Sequence, residues 1–140
     1  MAKPAVVLDT NIVVSAHLVS TGLERRILDL ALSGQIRLCL SEEILEEYEA
    51  VLRRPKFAIA ATRLTASLRE IKKAATFFAS RSRLQVASDP ADNKFIECAE
   101  SSAADYLITG NKRHFPSGWK STNVVSSREF LQDLIPELRI

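Results

Sequence analysis

The stretch Ala5-Val6-Val7-Leu8-Asp9-Thr10-Asn11 decides the fold class of this 140-residue chain. A short apolar, β-branched run closed by an acid reads as a buried parallel strand that presents a carboxylate at its carboxyl end. In open α/β sheets that edge is where ligands bind. A local alternative stands beside this reading. Asp9 or Thr10 could simply cap the helix that Ile12, Val13 and Ala16 begin, since both residue types are favoured helix caps.

Working outward, apolar segments of strand-like and helix-like period alternate along the chain. Strands are expected near 4–9, 36–40, 84–87, 105–108 and 123–125. Helices are expected near 11–18, 22–33, 42–53, 62–80, 92–102 and 127–134. Such alternation predicts an α/β fold, a parallel sheet covered by helices. Gly22, Gly34, Pro55, Pro90, Gly110 and Pro116 fall between these elements, where backbone breakers belong. There is no internal repeat, low-complexity tract or linker, so residues 1–140 are expected to form one domain. With 46% hydrophobic residues, a chain of this length can bury a sizeable core.

Composition narrows the function classes. No run approaches the ~20 apolar residues of a membrane span, and the N-terminus lacks the charged-then-apolar order of a signal peptide. A cytoplasmic protein with no membrane partner is therefore expected. Cys39 and Cys98 lie in a strand-like and a helix-like run without paired metal-ligand spacing, and read as reduced packing residues. A formal net charge of +2 permits a nucleic-acid partner without arguing for one. The most basic region holds Arg63, Arg69, Lys72, Lys73, Arg81 and Arg83. It reads as a solvated face on which a phosphate backbone could also lie. In the same region Leu64, Leu68, Ile71, Ala75 and Phe78 form a stripe suited to core packing or to a partner helix.

Two further acids join Asp9. In Ser41-Glu42-Glu43-Ile44-Leu45-Glu46-Glu47-Tyr48, Ser41 is a natural N-cap, and Ile44, Leu45, Tyr48, Val51 and Leu52 form the buried face. At ~100° per residue Glu46 points away from that face, whereas Glu47 and Glu49 flank it about equally. Helix geometry does not choose between those two. In Asp89-Pro90-Ala91-Asp92-Asn93, Asp89 is the expected N-cap, with Pro90 in the first turn. Asp92 instead lines up with Phe95, Ile96, Ala99 and Ala103. A carboxylate there is costly to desolvate unless positive charge meets it, and a divalent cation would supply what the helix terminus does not. Thr109 and Asn111 fall at the same sheet edge as Asp9, although turn chemistry around Gly110 also accounts for them. Asp105 begins its strand and, at ~3.3 Å per residue, lies more than ~10 Å from that edge. Carboxylates converging with few histidines favour Mg2+ or Mn2+ over zinc. Such ions activate water and neutralise phosphoryl oxygens, which makes phosphodiester hydrolysis the natural reaction.

Taken in order, Leu8-Asp9-Thr10-Asn11, the segment from Ser41 to Tyr48, Asp89-Pro90-Ala91-Asp92-Asn93 and Tyr106-Leu107-Ile108-Thr109-Gly110-Asn111 resemble the PIN domain family. The resemblance is strongest to small bacterial VapC-like proteins, the toxin components of toxin–antitoxin systems, and it covers nearly the whole chain. It implies a three-layer fold whose central parallel sheet has four to five strands flanked by helices. It further implies a metal-dependent ribonuclease acting on an RNA substrate, a homodimer, and inhibition by a cognate antitoxin protein. By resemblance the helix-borne acid is Glu47 rather than Glu49, and Asp9, Glu47 and Asp92 are both catalytic and metal-holding. Thr10, Asn11 and Thr109 become supporting polar groups. Asn111 departs from the pattern, because that position is often the fourth acid. Its carbonyl oxygen can still ligate, but one negative charge is missing and metal should be held more weakly. Lys112 and Arg113 could contact RNA phosphate, and His114 follows them, although a solvated loop accounts for all three.

Two other readings stay in view. Haloacid-dehalogenase-like phosphatases also place an Asp after the first strand, but typically carry a second Asp two positions on, where this chain has Asn11. A PIN-like module that has lost activity through Asn111 would persist as an RNA-binding or protein-binding partner.

Overall fold

A computed structural model describes residues 3–79 and 83–136. Its centre is the opening strand β1 (Ala5–Leu8), in which Val6, Val7 and Leu8 have no solvent exposure. The chain continues through α1 (Thr10–Leu18), α2 (Leu23–Leu32), β2 (Arg37–Leu40), α3 (Glu42–Leu52), α4 (Ala61–Ala74) and β3 (Thr76–Phe77). A 3-10 turn at Pro90–Asp92 leads into α5 (Asn93–Ser102), followed by β4 (Tyr106–Ile108), β5 (Gly118–Trp119), β6 (Thr122–Val125) and α6 (Ser127–Leu134). The strands form one sheet in the order β3-β2-β1-β4-β6-β5. Val6 stands opposite Leu38 on one side and Tyr106 on the other, and Leu8 opposite Ile108. Both edges of β1 are thus paired, and the burial of its successive side chains shows both faces covered, which is why its sequence is apolar without alternation.

The helices follow from their apolar faces and caps. Ser41 accepts a hydrogen bond from the Ile44 N–H at the start of α3, as its position predicts. Ser126 and Glu129 form a reciprocal capping box at the start of α6. Helix α5 packs on β1, β2 and β4, and α6 on β4 and α2. The stripe of α4 is internal: Leu64, Leu68 and Ile71 are buried in the common core, so it packs within its own chain. Cys39 and Cys98 are buried and free. Among the described residues no helix is long and apolar enough to cross a membrane.

Three expectations need correction. The sheet has six strands, not four or five, and it is not wholly parallel, because β5 runs antiparallel to β6. The stripe expected to stay helical to residue 80 leaves the helix after Ala74, and Ala75 is extended. The sheet captures the following residues, with Cys39 opposite Thr76 and Phe78 N–H donating to the Leu40 carbonyl at 2.8 Å. Tertiary pairing has overridden helical period there. Residues 84–87, expected as a strand, are in no strand. Side chains of α5 satisfy their backbone instead: Glu97 accepts from Leu84 N–H at 2.9 Å, and Asn93 Oδ1 accepts from both Val86 and Ala87 N–H. With those donors engaged there is no strand ladder to join. Arg81, part of the basic region, lies outside the described residues.

Candidate active site

The carboxyl edge of the sheet gathers the expected acids from three separate elements. Asp9 follows β1 directly and is only 7% exposed. One of its oxygens accepts from Thr10 N–H at 2.8 Å, which makes Asp9 the N-cap of α1. The other accepts from the Thr109 hydroxyl at 2.7 Å. Cap and edge carboxylate are thus the same group. Burial raises the Asp9 pKa above the ordinary carboxylate range; the Thr109 and Thr10 hydrogen bonds act against the rise, and the charges of Asp92 and Glu47 add to it.

Glu47 reaches this edge because of its neighbour. Tyr48 is fully buried, and its hydroxyl donates to the carbonyl of Leu8, clamping the middle of α3 to the end of β1. The clamp sets Glu47 beside α1, where Glu47 Oε2 accepts from the Thr10 hydroxyl. Glu49, which helix geometry left equivalent, is exposed and pairs with Arg53 at 2.8 Å. Thr10 therefore links two acids, giving its N–H to Asp9 and its hydroxyl to Glu47.

Asp92 closes the 3-10 turn ahead of α5, and Asp89 caps that turn through Ala91 N–H. Burial raises the Asp92 pKa. The Asp89 and Glu47 charges add to the shift, while His114 and Lys94 oppose it. His114 Nδ1 lies 3.7 Å from Asp92 Oδ2. Asn111 is exposed, and its N–H donates to the Thr109 hydroxyl at 2.9 Å. Asn11 accepts from Gly110 N–H at 3.4 Å, holding the loop after β4 against the start of α1. Of the two expected phosphate contacts, Lys112 is tied to Glu129 at 2.8 Å, while Arg113 is exposed on the 3-10 turn Lys112–His114.

Sequence reasoning missed Lys94. Its ammonium lies 2.7 Å from Glu47 Oε1 and also donates to the Ala91 carbonyl. A signal was available. A lysine in the first turn of a helix opposes the helix dipole, so something outside the helix must favour it there. Glu97 and Asn93 were missed as well. Both are buried polar side chains among the otherwise apolar buried residues of α5, and burial of that kind requires partners.

Apart from His114 Nδ1, 3.7 Å from Asp92, the groups at this edge able to hold a cation are oxygens, and the charges of Asp92 and Glu47 raise the Asp9 pKa, so negative charge is concentrated there. Among the described residues, however, no group of three His, Cys, Asp or Glu is disposed to hold an ion directly. That combination suits a hard cation that retains much of its water and touches one or two carboxylates, as Mg2+ does.

The PIN domain family matches residues 5–113, a span that contains every acid of this edge. The chain belongs to the PIN domain family. PIN domains are generally nucleases dependent on a divalent metal. No curated protein matches the chain in sequence. Two solved structures share the PIN fold at low identity. A chain of VapBC2 from Rickettsia felis, crystallised bound to a DNA fragment from their promoter, superposes with a TM-score of 0.58 at 16% identity. That match covers 87% of this chain and 98% of that one. PAE2754 from Pyrobaculum aerophilum superposes with a TM-score of 0.55 at 19% identity, covering 98% of this PIN domain and 92% of that chain.

Proposed function

We propose that this PIN domain is a Mg2+- or Mn2+-dependent endoribonuclease and the toxin component of a toxin–antitoxin pair. The observation that carries the reading is the meeting of Asp9, Glu47 and Asp92 at the carboxyl edge of the sheet, where Asp9 feels the charge of both other acids. Asp9 and Asp92 would hold the ion, directly or through its water, with Glu47 behind Thr10 and the Asn111 amide as a further oxygen donor. When bound, the ion supplies an activated water and neutralises charge on the phosphoryl oxygen.

The chain's own groups have definable parts in this. Thr109 and Thr10 fix both oxygens of Asp9, so its carboxylate is oriented before any ion arrives. Asn11 and Gly110 hold the loop that carries Asn111. Arg113, exposed beside the edge, suits a phosphate of the RNA backbone. A cognate antitoxin as protein partner, a homodimer and a cytoplasmic setting complete the proposal. The likeness to a chain of the Rickettsia felis VapBC2 supports the first of these.

The test is cleavage of a mixed cellular RNA pool by the purified protein with Mg2+, Mn2+ or EDTA, comparing the parent with Asp9→Asn. Metal-dependent cutting that disappears in the variant is the expected result. Cutting that is insensitive to EDTA, or undiminished in Asp9→Asn, would overturn it. RNA binding without turnover under any metal would identify a binding module, the reading that the exposed Asn111 favours; Asn111→Asp would then be the variant to examine.

A further inference from the structure

Lys94 is the second residue of α5, at the end of a helix where a positive charge is least favoured. Its side chain nevertheless turns inward and is only 17% exposed, with the ammonium 2.7 Å from Glu47 Oε1 and a bond to the Ala91 carbonyl. The ammonium also lies 5.5 Å from the Phe95 ring centroid, a cation–π contact. A long, flexible, strongly hydrated side chain gives up water and rotamer freedom to sit there. The compensation has to come from the carboxylates, which otherwise raise one another's energy.

We propose that Lys94 is the resident counter-ion of this acid cluster, a positioning residue that holds Glu47 in place and competes with a divalent cation for it. Both oxygens of Glu47 are committed, one to Lys94 and the other to the Thr10 hydroxyl. An incoming ion that engages Glu47 must therefore do so beside the ammonium, whose like charge opposes it, or in its place. Lys94 also offsets one of the three negative charges, leaving two, the charge that a single divalent ion neutralises. Two consequences follow. Without metal, Lys94 keeps the cluster assembled; with metal, it weakens ion binding and disfavours a second ion.

The inference rests on the metal-dependent reading of the site, and its test needs no RNA. Titration calorimetry with Mn2+ on the full chain at neutral pH would compare the parent with Lys94→Gln, Lys94→Met and Lys94→Arg. Removing a unit positive charge from beside the acids that would hold the ion should, even in a water-like dielectric, tighten Mn2+ binding about tenfold. Lys94→Gln and Lys94→Met should both show that gain, Met keeping the apolar stem if Gln disturbs the fold. Lys94→Arg retains the charge and should stay within about threefold of the parent by the same reasoning. In thermal melts Lys94→Gln should lose stability without Mn2+ and recover it when the ion is added. Equal or weaker Mn2+ binding by both neutral variants would overturn the inference, because a purely structural lysine leaves affinity unchanged or lowers it. If the parent cuts RNA with metal but the variants do not separate in affinity, only the role of Lys94 falls. If neither parent nor variants bind Mn2+ and the parent does not cut, the proposed function falls and this inference with it.

Discussion

The two ends of the sheet treat their carboxylates in opposite ways. At the amino end, Asp105 immediately precedes β4 as an exposed residue, and one oxygen accepts from Ala5 N–H at 2.8 Å, closing the end of β1. Thr122 does similar work there, its hydroxyl donating to the Ala104 carbonyl. Each of these two polar groups has a backbone partner. At the carboxyl end, Asp9 is buried with its pKa raised, and Asp92 and Glu47 add like charge to it. One end is arranged to be stable, whereas the other holds charge that the fold alone would not gather. The contrast separates a structural acid from the proposed site acids on the same sheet, where residue type alone could not.

The largest break in this contrast should come from Asp9→Asn. Cleavage should fall to background, while the protein becomes more stable at neutral pH. The sign follows from the raised pKa. Folding disfavours ionised Asp9, so its penalty is absent below the unfolded pKa and grows as pH rises through the folded one. An amide carries no such penalty: its oxygen can accept from Thr10 N–H while its NH2 donates to Thr109 Oγ1. Melting curves at pH 7 and pH 4 would check this, the variant gaining on the parent only at the higher pH. A variant less stable than the parent at pH 7 would mean that Asp9 is a cap first and a site residue second. A smaller break should follow Thr109→Val. It removes the donor to Asp9 and the acceptor for Asn111 N–H, and groups that orient metal-holding residues typically change activity or affinity about 10–100-fold.

Much of this arrangement could be read from the residues. The alternation of periods placed β1, β2, β4 and β6 and all six helices, and Asp9, Thr109 and Asn111 follow strands whose apolar runs end on them. What could not be read was nonlocal. Residues 84–87 look like a strand in isolation, and only Glu97 and Asn93, reaching over from α5, remove their need for a ladder. The helix carrying Ile71 should have run on through Phe78 by periodicity, but an open edge of β2 competes for those residues. Glu47 and Glu49 are equivalent by angle; what separates them is a buried hydroxyl, that of Tyr48, bonded to the Leu8 carbonyl at the end of β1, far away in sequence. Lys94 was legible only as a misfit, a cation at the wrong end of its helix.

At the amino end the matching variant is Asp105→Ala. It leaves Ala5 N–H without its side-chain acceptor, at a cost of about 1 kcal/mol given how exposed the group is. RNA cleavage should not change, because no site residue touches Asp105. Urea denaturation and the cleavage assay together check both halves. A loss of cleavage larger than the loss of folded protein would show that the two ends are coupled through β1 and β4, and the division between them would have to be redrawn.

The smallest effect sharpens the contrast. Ser127, in the first turn of α6 near the carboxyl edge, is 6% exposed, and its hydroxyl has no hydrogen-bond partner among the described residues. A buried, unpaired hydroxyl carries a desolvation cost and returns nothing to the fold, so replacing it with a methyl group should not destabilise. Ser127→Ala is thus expected to leave the urea midpoint unchanged or to raise stability by up to about 1 kcal/mol. Ala also tolerates the first helical turn, since Ser126 and Glu129 already supply the capping box. If Ser127→Ala instead lost about 1 kcal/mol or more, the hydroxyl would have a partner in solution, such as an ordered water bridging to the loop after β4. The carboxyl end would then contain a structural hydrogen bond of the kind that characterises the amino end, and the acids alone would mark the difference between them.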